Sequence, residues 1–135
     1  MNTIIPLDIF DAEIMVHFGE KKELRNVLAK YMSKEKVTSI LNAVGVCKSG
    51  LTLHNEDGTT IIYIPQKPSC SEDFGTISHE IFHAVSYVMK DKGIDLTDSS
   101  EEVYAYTIGF VTRKLTEIIF VPLNKIQNGN QGSKN

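Results

Sequence analysis

Cysteine is scarce in this sequence, and long apolar or basic runs are missing. Its two cysteines, Cys47 and Cys70, form no C-x-x-C pair and are too few for a disulfide framework, so we expect reduced thiols in a cytoplasmic protein. The apolar runs fall short of the roughly 18 residues that a membrane span needs, and no basic segment followed by an apolar core is found near Met1. The net charge is -3, and Lys and Arg are interleaved with Glu. We therefore expect neither a membrane nor a nucleic acid as partner.

The length and the composition together indicate one domain. A chain of 135 residues with 41% apolar residues can bury a core of its own without disulfide or metal support. The last residues are rich in Asn, Gln, Gly and Ser and offer little to bury. We predict a single domain over residues 1–123 and a flexible tail over residues 124–135.

Hydrophobic periodicity predicts strands early in the chain and paired helices late in it. The dipeptide Asp57-Gly58 predicts a two-residue hairpin turn in which both residues have positive φ. The strands are expected at 12–18, 51–56 and 59–64, and the helices at 21–32, 34–44, 74–90 and 100–119. This order predicts an α+β fold, with a small, twisted, mainly antiparallel sheet whose hairpin packs against helices.

One segment of the first long helix carries a recognisable chemical motif. His79, Glu80 and His83 form the pattern H-E-x-x-H. Positions four apart lie on one helix face, so both imidazoles can reach one zinc ion at about 2.0–2.1 Å. Glu80 is offset by about 100° and can act as a base for a water molecule on that ion. We predict that His79 and His83 bind Zn²⁺ and that Glu80 is catalytic.

The residues around the motif favour a metal over a purely structural role. Apolar side chains occupy almost every other face of this helix, which is typical of a buried helix. Two histidines and a glutamate inside such a helix are costly to bury without a partner, and one metal ion would be a partner for all three. The alternative is a pair of hydrogen-bonded core histidines with a salt-bridged Glu80.

Acidic residues at the start of the second long helix are the best candidates for a third ligand. Glu102 is favoured because Ala105 and Gly109 share its face, and small residues there would let this helix approach the histidines closely. Glu101 and Asp98 remain alternatives. A further alternative is local, because the segment also matches a capping box, in which a Glu satisfies its own helix N-terminus.

Other metal-binding side chains are weaker candidates. Cys70 lies nine residues before His79, but zinc–thiolate sites tend to be structural. His17 and His54 fall in strands far upstream, and each is expected to be a surface or half-buried histidine.

These residues resemble the gluzincin arrangement of zinc peptidases, the class that includes thermolysin. The H-E-x-x-H-A helix followed by E-x-x-A-Y-x-x-G from Glu102 resembles, more narrowly, small phage-type zincin-like proteins. The resemblance covers about a third of the chain and implies a zincin-like domain with Glu102 as third ligand. Two departures are visible. Tyr106 stands where thermolysin-like enzymes have an Asp that orients a histidine, and no histidine follows Glu102, so that Tyr87, Tyr104 or Tyr106 would have to supply a hydroxyl donor.

The function expected from these residues is zinc-dependent hydrolysis of peptide bonds in a peptide or protein substrate. Glu80 would assist attack by a zinc-bound water, Tyr87 or Tyr106 would help to hold the oxyanion, and the strand at 59–64 would align the substrate as an edge strand. One alternative is a non-proteolytic phage-type regulatory module in which zinc holds the two late helices together. Another is a specific anti-repressor-like protease, which ranks lower because no helix-turn-helix accompanies the site.

Overall fold

The computed structural model describes residues 1–120 and has the α+β composition that the sequence predicts. Its elements are β1 (Asn2–Leu7), β2 (Ala12–Phe18), α1 (Lys21–Leu28), α2 (Lys34–Val44), β3 (Leu51–His54), β4 (Thr60–Ile64), α3 (Ser71–Asp91) and α4 (Glu101–Ile119). The predicted tail at 124–135 and the end of the predicted domain lie outside the described residues. None of the helices within residues 1–120 is both long and apolar enough to span a bilayer.

The four described strands form one mixed sheet in the order β1-β2-β4-β3. The pairs β1–β2 and β3–β4 are antiparallel, whereas β2 and β4 are parallel. Two of the three pairs are antiparallel, as expected of a mainly antiparallel sheet, and the parallel pair, which was not predicted, makes the sheet mixed. The parallel pair arises because the chain crosses over through α1, α2 and β3 between β2 and β4, and parallel neighbours need such a crossover.

The hairpin between β3 and β4 lies where Asp57-Gly58 predicts it, but its turn is of another type. Asn55 N donates to Thr59 O at 3.0 Å and Gly58 N donates to Asn55 O at 2.9 Å, which leaves a three-residue loop. Gly58 has φ 83°, whereas Asp57 is not among the residues with positive φ. A three-residue loop needs only its last position in the left-handed region, so a single glycine is sufficient.

The sheet is covered by helices on both faces. Ile14, Val16 and Phe18 of β2 pack in the same core as α3 and α4. Met15 packs instead in a second core with residues of α1 and α2. Because side chains alternate along a strand, β2 serves both cores, and its residues from Ile14 to Phe18 are all buried.

Candidate metal centre

His79 and His83 meet on one face of α3, as their spacing predicts. Their Nε2 atoms lie 3.1 Å apart. Two nitrogens that are each about 2.0–2.1 Å from one tetrahedral zinc ion are separated by about 3.3 Å. The 3.1 Å contact is a hydrogen bond between the two rings, as the alternative of hydrogen-bonded histidines expects, and the same separation is close to that of two nitrogens on one divalent cation.

Glu80 lies between α3 and strand β3. Its side chain is only 7% exposed. The hydroxyl of Thr52 lies 2.7 Å from Glu80 Oε2 and 2.9 Å from the backbone oxygen of the same residue. The single hydroxyl proton of Thr52 is donated to one of these two oxygens or shared between them, and the contact holds Oε2 of Glu80 against the strand.

The helix is less buried than its composition suggests. His79 is exposed, His83 is half-buried, and the apolar Phe82 between them is 44% exposed. The prediction of a helix buried on nearly all sides is therefore wrong. The sheet and α4 cover only part of α3. Counting the apolar residues on each face of the helix therefore overestimates how much of it is buried. The argument that burial demands a partner applies to Glu80 and not to the two histidines.

The acidic residues at the start of α4 and just before it form no metal-binding group with the histidine pair within residues 1–120. Asp98, Glu101 and Glu102 are all exposed. In the part of the chain that the structure describes, no three His, Cys, Asp or Glu side chains come together in a group that could hold a metal ion. The structure thus unites His79 and His83 but does not bring Glu102 to them, and the role of Glu102 as third ligand stays a prediction.

The reason for favouring Glu102 over Glu101 is not supported. A Cβ atom added at Gly109 would meet nothing within 4 Å, and Ala105 is exposed. The face of α4 with small residues therefore does not approach α3. The core is lined by a different face of α4, and that face carries the larger side chains: Tyr104, Thr107, Val111, Leu115 and Ile119. Burial of this larger stripe determines the rotation of the helix.

The capping alternative is not observed either. The N-cap residue of α4 is Ser100, and its side chain makes no capping hydrogen bond. The Ser100 hydroxyl instead donates to the backbone oxygen of Asp95 and accepts from the backbone N–H of Thr97 at 2.9 Å. Ser100 therefore stabilises the preceding loop, and the structure assigns no capping role to the two glutamates.

Of the three tyrosines named as possible hydroxyl donors, Tyr104 donates its hydroxyl to the backbone oxygen of Ile94 at 2.7 Å, and the other two lie in different surroundings. Tyr106 is 77% exposed and lines a groove between α4 and the short 3₁₀ turn that contains Ile9 and Phe10. Tyr87 lies beside the histidine pair, with its ring centroid 6.5 Å from that of His83 and the ring planes 27° apart. Of the two, Tyr87 is in the better position to contact a ligand of the histidines.

Strand β3 contributes two residues that the sequence analysis did not assign to the site. Thr52 bonds Glu80, and His54 stacks on Tyr87 with ring centroids 4.9 Å apart. His54 is half-buried, as expected. The spacing of residues on α3 is local and visible in the sequence, but the neighbour of α3 across the sheet edge is determined by tertiary packing and leaves no comparable signal.

The remaining candidate ligands lie elsewhere. His17 is 1% exposed in β2, so the expectation of a surface or half-buried position is wrong for it. It faces away from α3, and its ring stacks on Tyr63 with a centroid separation of 6.1 Å. Cys70 is an exposed free thiol at the N-cap of α3, two turns before His79.

Comparisons of the chain with protein-family models, with curated proteins and with solved structures each found no significant match. The resemblance to zincins therefore depends on the residues and on the geometry of His79, Glu80 and His83.

Proposed function

We propose that this chain is a zinc-dependent peptidase of zincin-like fold, in which His79 and His83 bind the ion and Glu80 is the general base. The observation that carries the proposal is the convergence of the two Nε2 atoms, 3.1 Å apart, on the same helix as a buried and oriented Glu80. Glu102 is the third ligand that the resemblance implies, and ion binding would have to bring it to the pair, since the described residues do not group it there.

The chemistry of the site follows from the hydrogen bonds of Glu80. A zinc ion, when bound, lowers the pKa of water and polarises a carbonyl group. Thr52 holds Glu80 Oε2, which leaves Oε1 as the atom that accepts a proton from the attacking water. Glu80 later returns that proton to the leaving amine, as general acid–base catalysis of amide hydrolysis requires.

An extended peptide would dock against β3 and not against β4. The sequence analysis expected the strand at 59–64 to align the substrate, but β4 is internal and its five residues are all buried. β3 has β4 as its hydrogen-bonded neighbour and is an edge of the sheet within residues 1–120. Thr52 of β3 bonds Glu80, so a peptide added to this edge would run alongside the proposed base.

The decisive variant is Glu80→Gln. We expect it to lower the rate of cleavage of a mixed fluorogenic peptide library by about 10²- to 10⁴-fold, because the amide cannot accept the proton. Zinc content, measured by metal analysis of the purified protein, should be unchanged because Glu80 is not a ligand. Glu72→Gln is the matched control, since Glu72 lies in the exposed first turn of the same helix and should leave the rate unchanged. Cleavage by Glu80→Gln at the parental rate would refute the assignment.

The non-proteolytic module is the second candidate. A zinc ion that joins the two late helices needs the same ligand from α4 beside His79 and His83 as the peptidase does, so the two candidates differ in cleavage and not in the ligand set. This reading would replace the peptidase if zinc raised the melting temperature, a chelator reversed that rise, and the parent protein cleaved no peptide of the library.

A further inference from the structure

A row of polar and aromatic side chains runs along α3 beyond the metal-binding pair. His79, His83, Tyr87 and Asp91 follow one another at intervals of four residues, and such residues lie one above the other on a helix. Neither Tyr87 nor Asp91 is needed to bind the ion. Both contact the same side chain, His54 at the end of β3.

His54 is held at both ring nitrogens. Its Nε2 lies 3.1 Å from Asp91 Oδ1, and its Nδ1 lies 2.9 Å from Thr60 Oγ1. The carboxylate of Asp91 accepts from Nε2, and Nδ1 shares the second hydrogen bond with the Thr60 hydroxyl. These two contacts fix the plane of the imidazole.

The fixed imidazole forms a flat support for Tyr87. The two rings are parallel within 2°, with centroids 4.9 Å apart. Tyr87 also lies beside His83, at a centroid distance of 6.5 Å, and is 37% exposed. Its ring is thus held between a supported imidazole and the metal-binding pair, while part of the side chain remains accessible to a ligand.

We propose that His54 is a positioning residue that fixes the ring of Tyr87 beside His83, so that the Tyr87 hydroxyl donates to the carbonyl oxygen of a peptide held at the histidine pair. The contact between the two rings is independent of any metal. The catalytic part of the proposal rests on the proposed peptidase function, and the two parts are tested separately.

The positioning part is tested by ¹⁹F NMR of the full chain labelled with fluorotyrosine. The chain has five tyrosines, and loss of a resonance in Tyr87→Phe identifies that of Tyr87. In His54→Leu we expect this resonance to shift and to relax as a mobile ring, and in His54→Phe, which keeps a stacked ring, to return partly towards the parent. The resonance of Tyr106, which lies on α4, is the internal control and should not change. An unchanged Tyr87 resonance in His54→Leu would overturn the proposal.

The catalytic part is tested by the kinetics of the zinc-loaded protein. His54→Leu should lower kcat roughly 10- to 100-fold, as removal of an orienting partner does, with KM changed much less. In a Tyr87→Phe background the same substitution should have no further effect on kcat. If His54→Leu lowered kcat equally in the parent and in Tyr87→Phe, the proposal that His54 acts through Tyr87 would be wrong. If the parent cleaves nothing, the peptidase function fails, and the NMR result alone decides whether His54 positions Tyr87.

Discussion

Gly50 shows how a single residue places the proposed base. A Cβ atom at this position would lie 2.7 Å from Thr76 Cγ2, 2.9 Å from Ile64 Cδ1 and 3.3 Å from Glu80 Cγ. Any side chain at Gly50 would force the neighbouring side chains of Thr76 and Ile64 to shift, because the start of β3 passes so close to α3. This close approach is what allows Thr52, two residues later, to bond the Glu80 carboxylate.

We expect Gly50→Ala to lower the free energy of unfolding by about 1–3 kcal/mol, because the added methyl group overpacks the contact between β3 and α3. Urea denaturation measures this change. Gly109→Ala is the control, since its added methyl group meets nothing and alanine favours an exposed helix by up to about 1 kcal/mol. If Gly50→Ala proved as stable as the parent, the close contact would not exist.

For individual residues, the sequence predicts only the part of the site that lies on a single helix. The convergence of His79 and His83 follows from the geometry of any α-helix and needs no knowledge of the fold. The partners of Glu80 and Tyr87 are Thr52 and His54, and both lie more than 25 residues away along the chain. Their positions depend on which strand forms the edge of the sheet, and no local pattern encodes that.

Helix α4 shows that small residues do not reliably indicate which face of a helix packs against its neighbours. The small residues Ala105 and Gly109 suggested a close helix–helix contact, yet the buried face carries larger side chains such as Val111 and Leu115. A helix in a soluble protein gains more from burying large apolar side chains than from a close approach of backbones. The stripe with more apolar surface therefore faces the core.

The orientation of α4 predicts that substitutions on its two faces change the free energy of unfolding by very different amounts. Ala105→Lys should change the free energy of unfolding by no more than about 0.5 kcal/mol, because the lysine would point into solvent. Leu115→Ala should cost about 2–5 kcal/mol, because it removes buried methyl groups and leaves a cavity. Thermal or urea denaturation of both variants checks this. A severe loss in Ala105→Lys would mean that the small-residue face packs against the rest of the domain.

The sequence analysis predicted no strand over β1. Its segment contains Pro6, which lacks a backbone N–H and argues against a central strand. Pro6 lies on the edge strand β1 and pairs with Glu13 of β2. One side of an edge strand needs no hydrogen-bond partner, so the proline is tolerated there.

The Asp57-Gly58 dipeptide was a stronger signal, since it located the hairpin correctly even though the loop has three residues.

In the domain as a whole, helices cover both faces of the sheet. They bury His17, which the sequence analysis expected at the surface or half-buried. Neither ring nitrogen of His17 makes a hydrogen bond of normal geometry within residues 1–120. Burial, and to a smaller extent the nearby N-terminal amine, lowers the pKa of His17 below its ordinary value of about 6.5. His17 is therefore expected to be neutral in the folded protein.

This lowered pKa makes stability depend on pH. Between the ordinary value and the lowered value, the unfolded chain binds a proton at this position that the folded chain does not, so the free energy of unfolding should fall as the pH drops below about 6.5. Urea denaturation at several pH values measures the slope. His17→Phe keeps a stacked ring and cannot titrate, so its slope over this range should be smaller. Equal slopes in both proteins would show that His17 protonates as readily in the folded state.

The central claim is that His79 and His83 share a divalent cation, and anomalous scattering from a zinc-soaked crystal tests it most directly. We predict a single strong peak about 2.0–2.1 Å from the Nε2 atoms of both histidines. The same map shows whether Glu102 completes the site. Data at the zinc edge with no peak within coordination distance of both imidazoles would contradict the account.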